Sequence, residues 1–193
     1  MSVISSIFDE ILGILTKEEQ LKLIYLFTKL EKDCAIAERE KFNFLCDEFK
    51  ITNTTKQNII GYCECLPFND ENNFEIVMEE IKKIVDKTKR DTYNERNKKI
   101  QSFIVWTLLN FAHIDEKITQ SEEKIIYYLV DLWNMDKTLV SNMLDTLDTV
   151  SLLQKHIDFL KTTDMPYEKI HSRIEKCEDE IKQIFKDIEI TLA

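Results

Sequence analysis

The chain has 193 residues, of which 36 are acidic and 26 are lysine or arginine, so its formal net charge is −10 at pH 7. This acidity argues against nucleic acid as a partner, because binding it requires a basic face that replaces condensed counterions. Only two glycines and two prolines occur. Strands and hairpins depend on turns built from these residues, whereas both interrupt helices, so the composition predicts an all-α protein.

The sequence also predicts where the protein resides. Its start, MSVISSIFDE, reaches acidic residues without a basic segment, so we expect no signal peptide. No uninterrupted apolar run approaches the roughly 20 residues of a membrane span, so no transmembrane segment is expected. Five cysteines without a regular spacing favour a reducing compartment. These features together predict a cytoplasmic protein.

Apolar spacing predicts helices along most of the chain. Thr16 and Glu19 form one capping box, and Thr119 and Glu122 form a second one. We expect segment 86–99 to be an exposed helix with a break near Asp91 and Thr92, or else a hinge. Segment 100–113 is apolar nearly all round and is therefore expected at the centre of a bundle. The predicted helices cover about 5–15, 16–32, 37–49, 54–65, 72–85, 100–113, 120–133, 140–147, 151–160 and 166–192.

The last predicted helix, residues 166–192, opens at Pro166, a residue favoured in a first helical turn. Its apolar residues are spaced alternately three and four apart, which is a heptad pattern. This apolar seam can pack on the chain's own bundle, or against a partner helix. A protein partner is therefore expected, and a homodimer through the C-terminal helix is one form of it. The seam consists of Tyr167, Ile170, Ile174, Cys177, Ile181, Ile184 and Ile188.

A short acidic pattern, Asp-x-x-Ile-x-x-x-Glu, occurs twice in the chain. The segments around the two copies align without a gap, and FLCDEFKIT and YLVDLWNMD correspond further on with a small difference in length. This predicts an internal duplication, with repeats over about 21–65 and 103–147, in a single bundle of about 8–10 helices spanning 1–193. The copies are Asp33, Ile36 and Glu40, and, 82 positions later, Asp115, Ile118 and Glu122.

The duplicated pattern between apolar helices resembles the turn of the TerB-like (tellurite resistance protein B-like) family, over about residues 21–143. The glycine that follows the aspartate in that family is replaced here by Cys34 and Glu116, which suggests a different turn conformation. The resemblance implies two related helical halves and a role in bacterial stress response or tellurite resistance.

The resemblance also implies that the acidic turns form a cation-binding surface. The candidate metal ligands are Asp33, Glu40, Asp115 and Glu122, which would hold a divalent cation such as Ca²⁺, because hard cations prefer several oxygen ligands. The alternative is that these carboxylates only cap helices and turns, since acids are favoured in a first helical turn. Both interpretations stay open at this point.

No motif for catalysis is evident. The three histidines lie far apart, and Cys63-x-Cys65 lacks the spacing of a zinc knuckle. Glu-x-x-His spacing occurs once, at Glu168 and His171, whereas a carboxylate-bridged metal centre in a helical bundle needs it on two helices. Our leading hypothesis is therefore a non-enzymatic helical binding or adaptor module. The alternative is a structural or inhibitory interaction protein, of phage, viral or effector type, without a metal site.

Overall fold

A computed structural model describes residues 15–30, 36–69, 72–86, 88, 95–114, 118–163 and 167–192. In this part of the chain the regular structure consists of eight α-helices and no strand, so the all-α prediction is confirmed. In chain order the helices are α1 (Lys17–Phe27), α2 (Ile36–Glu48), α3 (Asn53–Glu64), α4 (Asn73–Val85), α5 (Glu95–Ala112), α6 (Gln120–Leu132), α7 (Lys137–Lys161) and α8 (Tyr167–Leu192).

The chain divides into two compact units. The first unit spans Met1–Lys137 and contains α1 to α6, and the second spans Thr138–Ala193 and contains α8 and nearly all of α7. The single-domain organisation and the pseudo-twofold repeats stay predictions. The helix predicted over 5–15 and the break near Asp91 and Thr92 lie outside the described residues.

Helix α1 is the centre of the first unit, since it contacts α2, α3, α4 and α5. Its capping box forms as the sequence predicts, with the Thr16 side chain accepting from the Glu19 N–H and the Glu19 carboxylate accepting from the Thr16 N–H. Consecutive residues from Leu23 to Phe27 are all buried. Such a helix is enclosed on every side, and burial rather than intrinsic propensity stabilises it.

Helix α1 ends at Phe27, five residues before the predicted end near Lys32. The Thr28 hydroxyl donates to the Tyr25 carbonyl at 2.8 Å. The N–H groups of Lys29 and Leu30 then donate three residues back, at 3.0 and 3.1 Å. These bonds tighten the last turn and satisfy carbonyls that a longer helix would use.

Helix α5 confirms the expectation of a helix buried nearly all round. Ile104, Val105 and Leu108 are completely inaccessible to solvent, and Leu109 is almost so. The helix contacts α1 and α6. It begins at Glu95, which is earlier than the predicted start at 100, and it ends at Ala112.

The prediction of two short helices over 140–147 and 151–160 is wrong, because α7 is one helix of 25 residues. The polar residues between the two apolar segments do not interrupt it. The hydroxyls of Thr146 and Thr149 donate to the carbonyls of Asn142 and Asp145, four residues earlier, at 2.7 and 2.8 Å. Threonines bonded in this way are accommodated inside a helix, and no glycine or proline stands there to break it.

Candidate functional site

The first copy of the acidic pattern extends into α2. Asp33 lies outside the described residues, and Glu40 is exposed on α2. The carboxylate that this helix buries is instead that of Glu38, the third residue of α2, whose exposed fraction is 8 %.

The second copy of the acidic pattern extends into α6. Asp115 lies outside the described residues, and Glu122, the third residue of α6, is buried with an exposed fraction of 6 %. Its Oε2 accepts from the Thr119 N–H at 2.7 Å and from the Thr119 hydroxyl at 2.9 Å. The predicted capping box is thus confirmed. One Glu122 oxygen is already engaged by the helix terminus, which reduces what it can offer to a cation.

Helices α2 and α6 end in two separate turns of the same type. After α2, the N–H of Lys50 donates to the Asp47 carbonyl and that of Ile51 to the Cys46 carbonyl, at 2.9 and 3.0 Å. After α6, the corresponding bonds are 3.2 and 2.9 Å. Lys50 and Asn134 both take positive φ angles, of 55° and 48°. This is the Schellman arrangement, in which a left-handed residue satisfies the final carbonyls of a helix. The corresponding donors after α6 are Asn134 and Met135, and their acceptors are Asp131 and Val130.

The matching turns define how the two segments correspond. Lys50 and Asn134 lie 84 positions apart, as do the first and the last residues of α2 and α6. In this register the counterpart of Glu122 is Glu38 rather than Glu40, and both are buried third residues of their helices. In the described part of the chain, no group of three or more His, Cys, Asp and Glu side chains could hold a metal ion.

Lys41 connects α2 to the end of α5. Its Nζ donates to the Asn110 carbonyl at 2.8 Å and lies 5.4 Å from the centre of the Phe111 ring. Burial lowers the pKa of Lys41 from its ordinary value of 10.5 to about 8. The sequence did not point to this residue, because its partner lies 69 positions away and belongs to the backbone.

Two tyrosine–carboxylate contacts hold α3 to its neighbours. The Tyr25 hydroxyl donates to Glu64 at 2.7 Å, and Lys29 bonds the same carboxylate oxygen. The hydrogen bond from Lys29 lowers the pKa of Glu64. On the other side, the hydroxyl of Tyr62 donates to Glu80, and this bond raises the pKa of Tyr62. These contacts account for Glu64 on α3 and Glu80 on α4 as structural residues.

Helix α8 carries the predicted apolar seam, and its surroundings differ from those of the other helices. Among its described side chains none is buried, and the described seam residues, from Ile170 to Ile188, are all partly exposed. The helix also has strongly charged flanks, with acidic and basic residues in nearly every turn. It therefore presents a continuous apolar strip that keeps accessible surface along its length.

Helix α7 adds exposed apolar side chains that sequence analysis did not identify. Leu152 is 67 % exposed and Phe159 is 61 % exposed. The two residues are seven positions apart and therefore lie on one face of the helix. A helical pattern shows that such residues share a face, but it does not show whether that face is covered.

Comparison with known proteins supplies no identification: no family model, no curated protein and no solved structure matches this chain. None of the helices in the described residues is both long enough and apolar enough to span a membrane.

Proposed function

We propose that this protein is a non-enzymatic helical binding module that resembles the TerB-like family and acts by holding a protein partner. The proposal includes two related helical hairpins, each bearing a buried carboxylate at the start of its second helix. The turns after α2 and α6 have the same pattern of hydrogen bonds, and the φ angles of Lys50 and Asn134 differ by only 7°. These turns support the relationship between the two hairpins. The contact with the partner is assigned to α8.

The observation that carries the proposal is the apolar strip of α8, whose described seam residues all stay partly exposed. Apolar residues recur every three or four positions from Tyr167 to Ile188, yet none of the described side chains of this helix is buried. Burying apolar surface stabilises a protein or a complex by about 25 cal/mol per square ångström, and surface left in water does not contribute this free energy. Contiguous apolar patches on a protein surface mark interaction sites, whereas scattered apolar residues do not.

We expect partner capture to depend on this strip. Wild type, Ile174→Ser/Ile181→Ser and the control Lys176→Ser/Lys186→Ser would each be used as bait in lysate from the native cell. The control changes exposed residues of the same helix outside the seam. Serine and isoleucine have similar helix propensities, so the first variant removes apolar surface without unwinding α8.

The measurement is the set of captured proteins, compared by quantitative mass spectrometry, with far-UV circular dichroism as a check on helix content. We expect at least one protein that wild type and the control capture and the seam variant loses. Identical sets from all three baits would contradict the assignment of partner binding to α8.

A cation at the acidic turns is the second part of the proposal. Supporting it are two carboxylates, Glu38 and Glu122, buried at corresponding positions. We expect Ca²⁺ titrated into wild type to give saturable heat, and Asp33→Asn/Asp115→Asn to abolish it. Asp179→Asn/Asp187→Asn removes the same charge from exposed positions of α8 and should leave the heat unchanged.

Equal heats from all three proteins, or no heat from any, would contradict the cation site. That outcome would favour the alternative function, an interaction protein whose acidic turns are inert. The engaged Oε2 of Glu122 is the observation that favours this alternative. Asp33→Asn/Asp115→Asn should then capture the same partner as wild type.

A further inference from the structure

The heptad positions of α8 can be assigned from its seam. Residues Ile174, Ile181 and Ile188 occupy the a positions, and the d positions are Ile170, Cys177 and Ile184. Tyr167 begins the pattern, and the helix of 26 residues extends for about 39 Å at 1.5 Å per residue. A strip with apolar a and d positions over more than three heptads is the pattern through which helices form coiled coils.

The charges beside the seam decide which partner fits it. In a parallel coiled coil, a g residue of one helix lies beside the e residue five positions later in the next. Arg173 is a g residue and Glu178 is the e residue five positions later, and both are exposed. A second copy of α8 in parallel therefore pairs each Arg173 with the other copy's Glu178. The remaining g residues, Glu180 and Asp187, face the uncharged Phe185 and Leu192.

The antiparallel arrangement with full overlap is disfavoured by the same charges. There e positions meet e positions and g positions meet g positions. Arg173 then lies near Asp187 of the other copy, but Glu178 lies near Glu178 and Glu180 near Glu180. Like charges in such proximity oppose association. Opposite charges pair without an accompanying contact between like charges only when the helices run in the same direction and in register.

From these observations we infer that copies of this chain associate through α8 as a parallel, in-register coiled coil. The inference rests on the proposed function, because it names the partner of the same surface. Isoleucine at both a and d permits three strands as well as two. In either assembly the d residue Cys177, which is a free cysteine, meets its counterpart in the neighbouring copy.

The first experiment is sedimentation equilibrium of the purified full chain, from about 1 µM to about 200 µM, which spans the affinities expected of a modest interface. We expect wild type and Lys176→Ser/Lys186→Ser to reach the mass of two or three chains. Ile174→Ser/Ile181→Ser should stay at the mass of one chain. A single-chain mass for wild type at every concentration would overturn the inference.

The second experiment determines whether the α8 helices of the associated copies run parallel. Mild oxidation with glutathione disulfide, followed by peptide mass spectrometry, should yield a Cys177–Cys177 link, because the two thiols face each other only in a parallel, in-register assembly. An assembled protein that yields no such link would overturn the parallel arrangement. Arg173→Glu should weaken association, and adding Glu178→Arg should restore it. A double variant no stronger than Arg173→Glu would likewise overturn the charge pairing.

These outcomes are distinguishable from a failure of the proposed function. If purified wild type stays a single chain but still captures a protein through the seam, self-association is wrong and partner binding stands. If wild type assembles and all three baits capture identical sets, self-association stands and binding of a different protein is wrong.

Discussion

Phe27→Ala is expected to lower the free energy of unfolding of the first unit by about 3–5 kcal/mol. Phe27 is 1 % exposed and lies at the end of α1, the helix that contacts α2, α3, α4 and α5. Removing its ring leaves a cavity that several helices would have to close at once. The loss therefore includes a cavity cost in addition to the lost transfer free energy.

The measurement is urea unfolding followed by tryptophan fluorescence. Both tryptophans, Trp106 and Trp133, are buried in the first unit, so this signal reports on it. Phe44→Ala is the matched control, since Phe44 on α2 is 57 % exposed and its loss should cost less than about 1 kcal/mol. An equal loss from both variants would contradict the central position of α1.

The helices themselves could be predicted from local chemistry. The scarcity of glycine and proline restricts the chain to few turn conformations, and a hydroxyl with a glutamate three residues later fixes where α1 and α6 begin. Both signals involve neighbours along the chain, so no knowledge of the tertiary structure is needed. The burial of α5 was predicted for a related reason, because a helix without a polar face has no side to turn toward water.

The remaining features depend on contacts between distant residues. Helix α7 continues through a polar segment in which the hydroxyls of Thr146 and Thr149 find acceptors inside the helix, but a polar sequence is equally compatible with a break. The repeated Asp-x-x-Ile-x-x-x-Glu pattern makes Glu40 the counterpart of Glu122, whereas the bounds of α2 and α6 make it Glu38. The first and last residues of α2 and α6 lie 84 positions apart, whereas the two aspartates lie 82 apart. The register defined by the aspartates therefore does not continue into the helices.

The environment of Lys41 also depends on a residue far away in the sequence, so the sequence alone does not predict it. Its burial makes the stability of the protein depend on pH. Burial holds the pKa of Lys41 at about 8 in the folded chain, against 10.5 when exposed. Below pH 8 the amine is charged in both states, and the folded state bears the full cost of burying that charge. The cost decreases as pH rises through 8 and is gone above 10.5. The contribution of Lys41 therefore makes the protein more stable as pH increases across this window.

Two buried thiols act in the opposite direction and must be separated from Lys41. Burial raises the pKa of Cys46 to about 11 and that of Cys63 to about 12, from an ordinary value of 9.0. Their unfolded forms lose protons first, so they decrease stability as pH rises above 9. Only the difference between wild type and a Lys41 variant isolates the lysine, because both proteins contain the same thiols.

Lys41→Gln should therefore abolish one component of the pH dependence. We expect the stability of wild type relative to this variant to rise between pH 8 and 10.5, by at most about 1.4 kcal/mol per pH unit and by about 2–3 kcal/mol in total. The measurement is urea unfolding at several pH values. Lys98→Gln, at an exposed position of α5, is the control and should follow wild type. A difference between wild type and Lys41→Gln that does not change with pH would mean that Lys41 is charged in both states throughout, and that its bond to the Asn110 carbonyl outweighs the cost of burial.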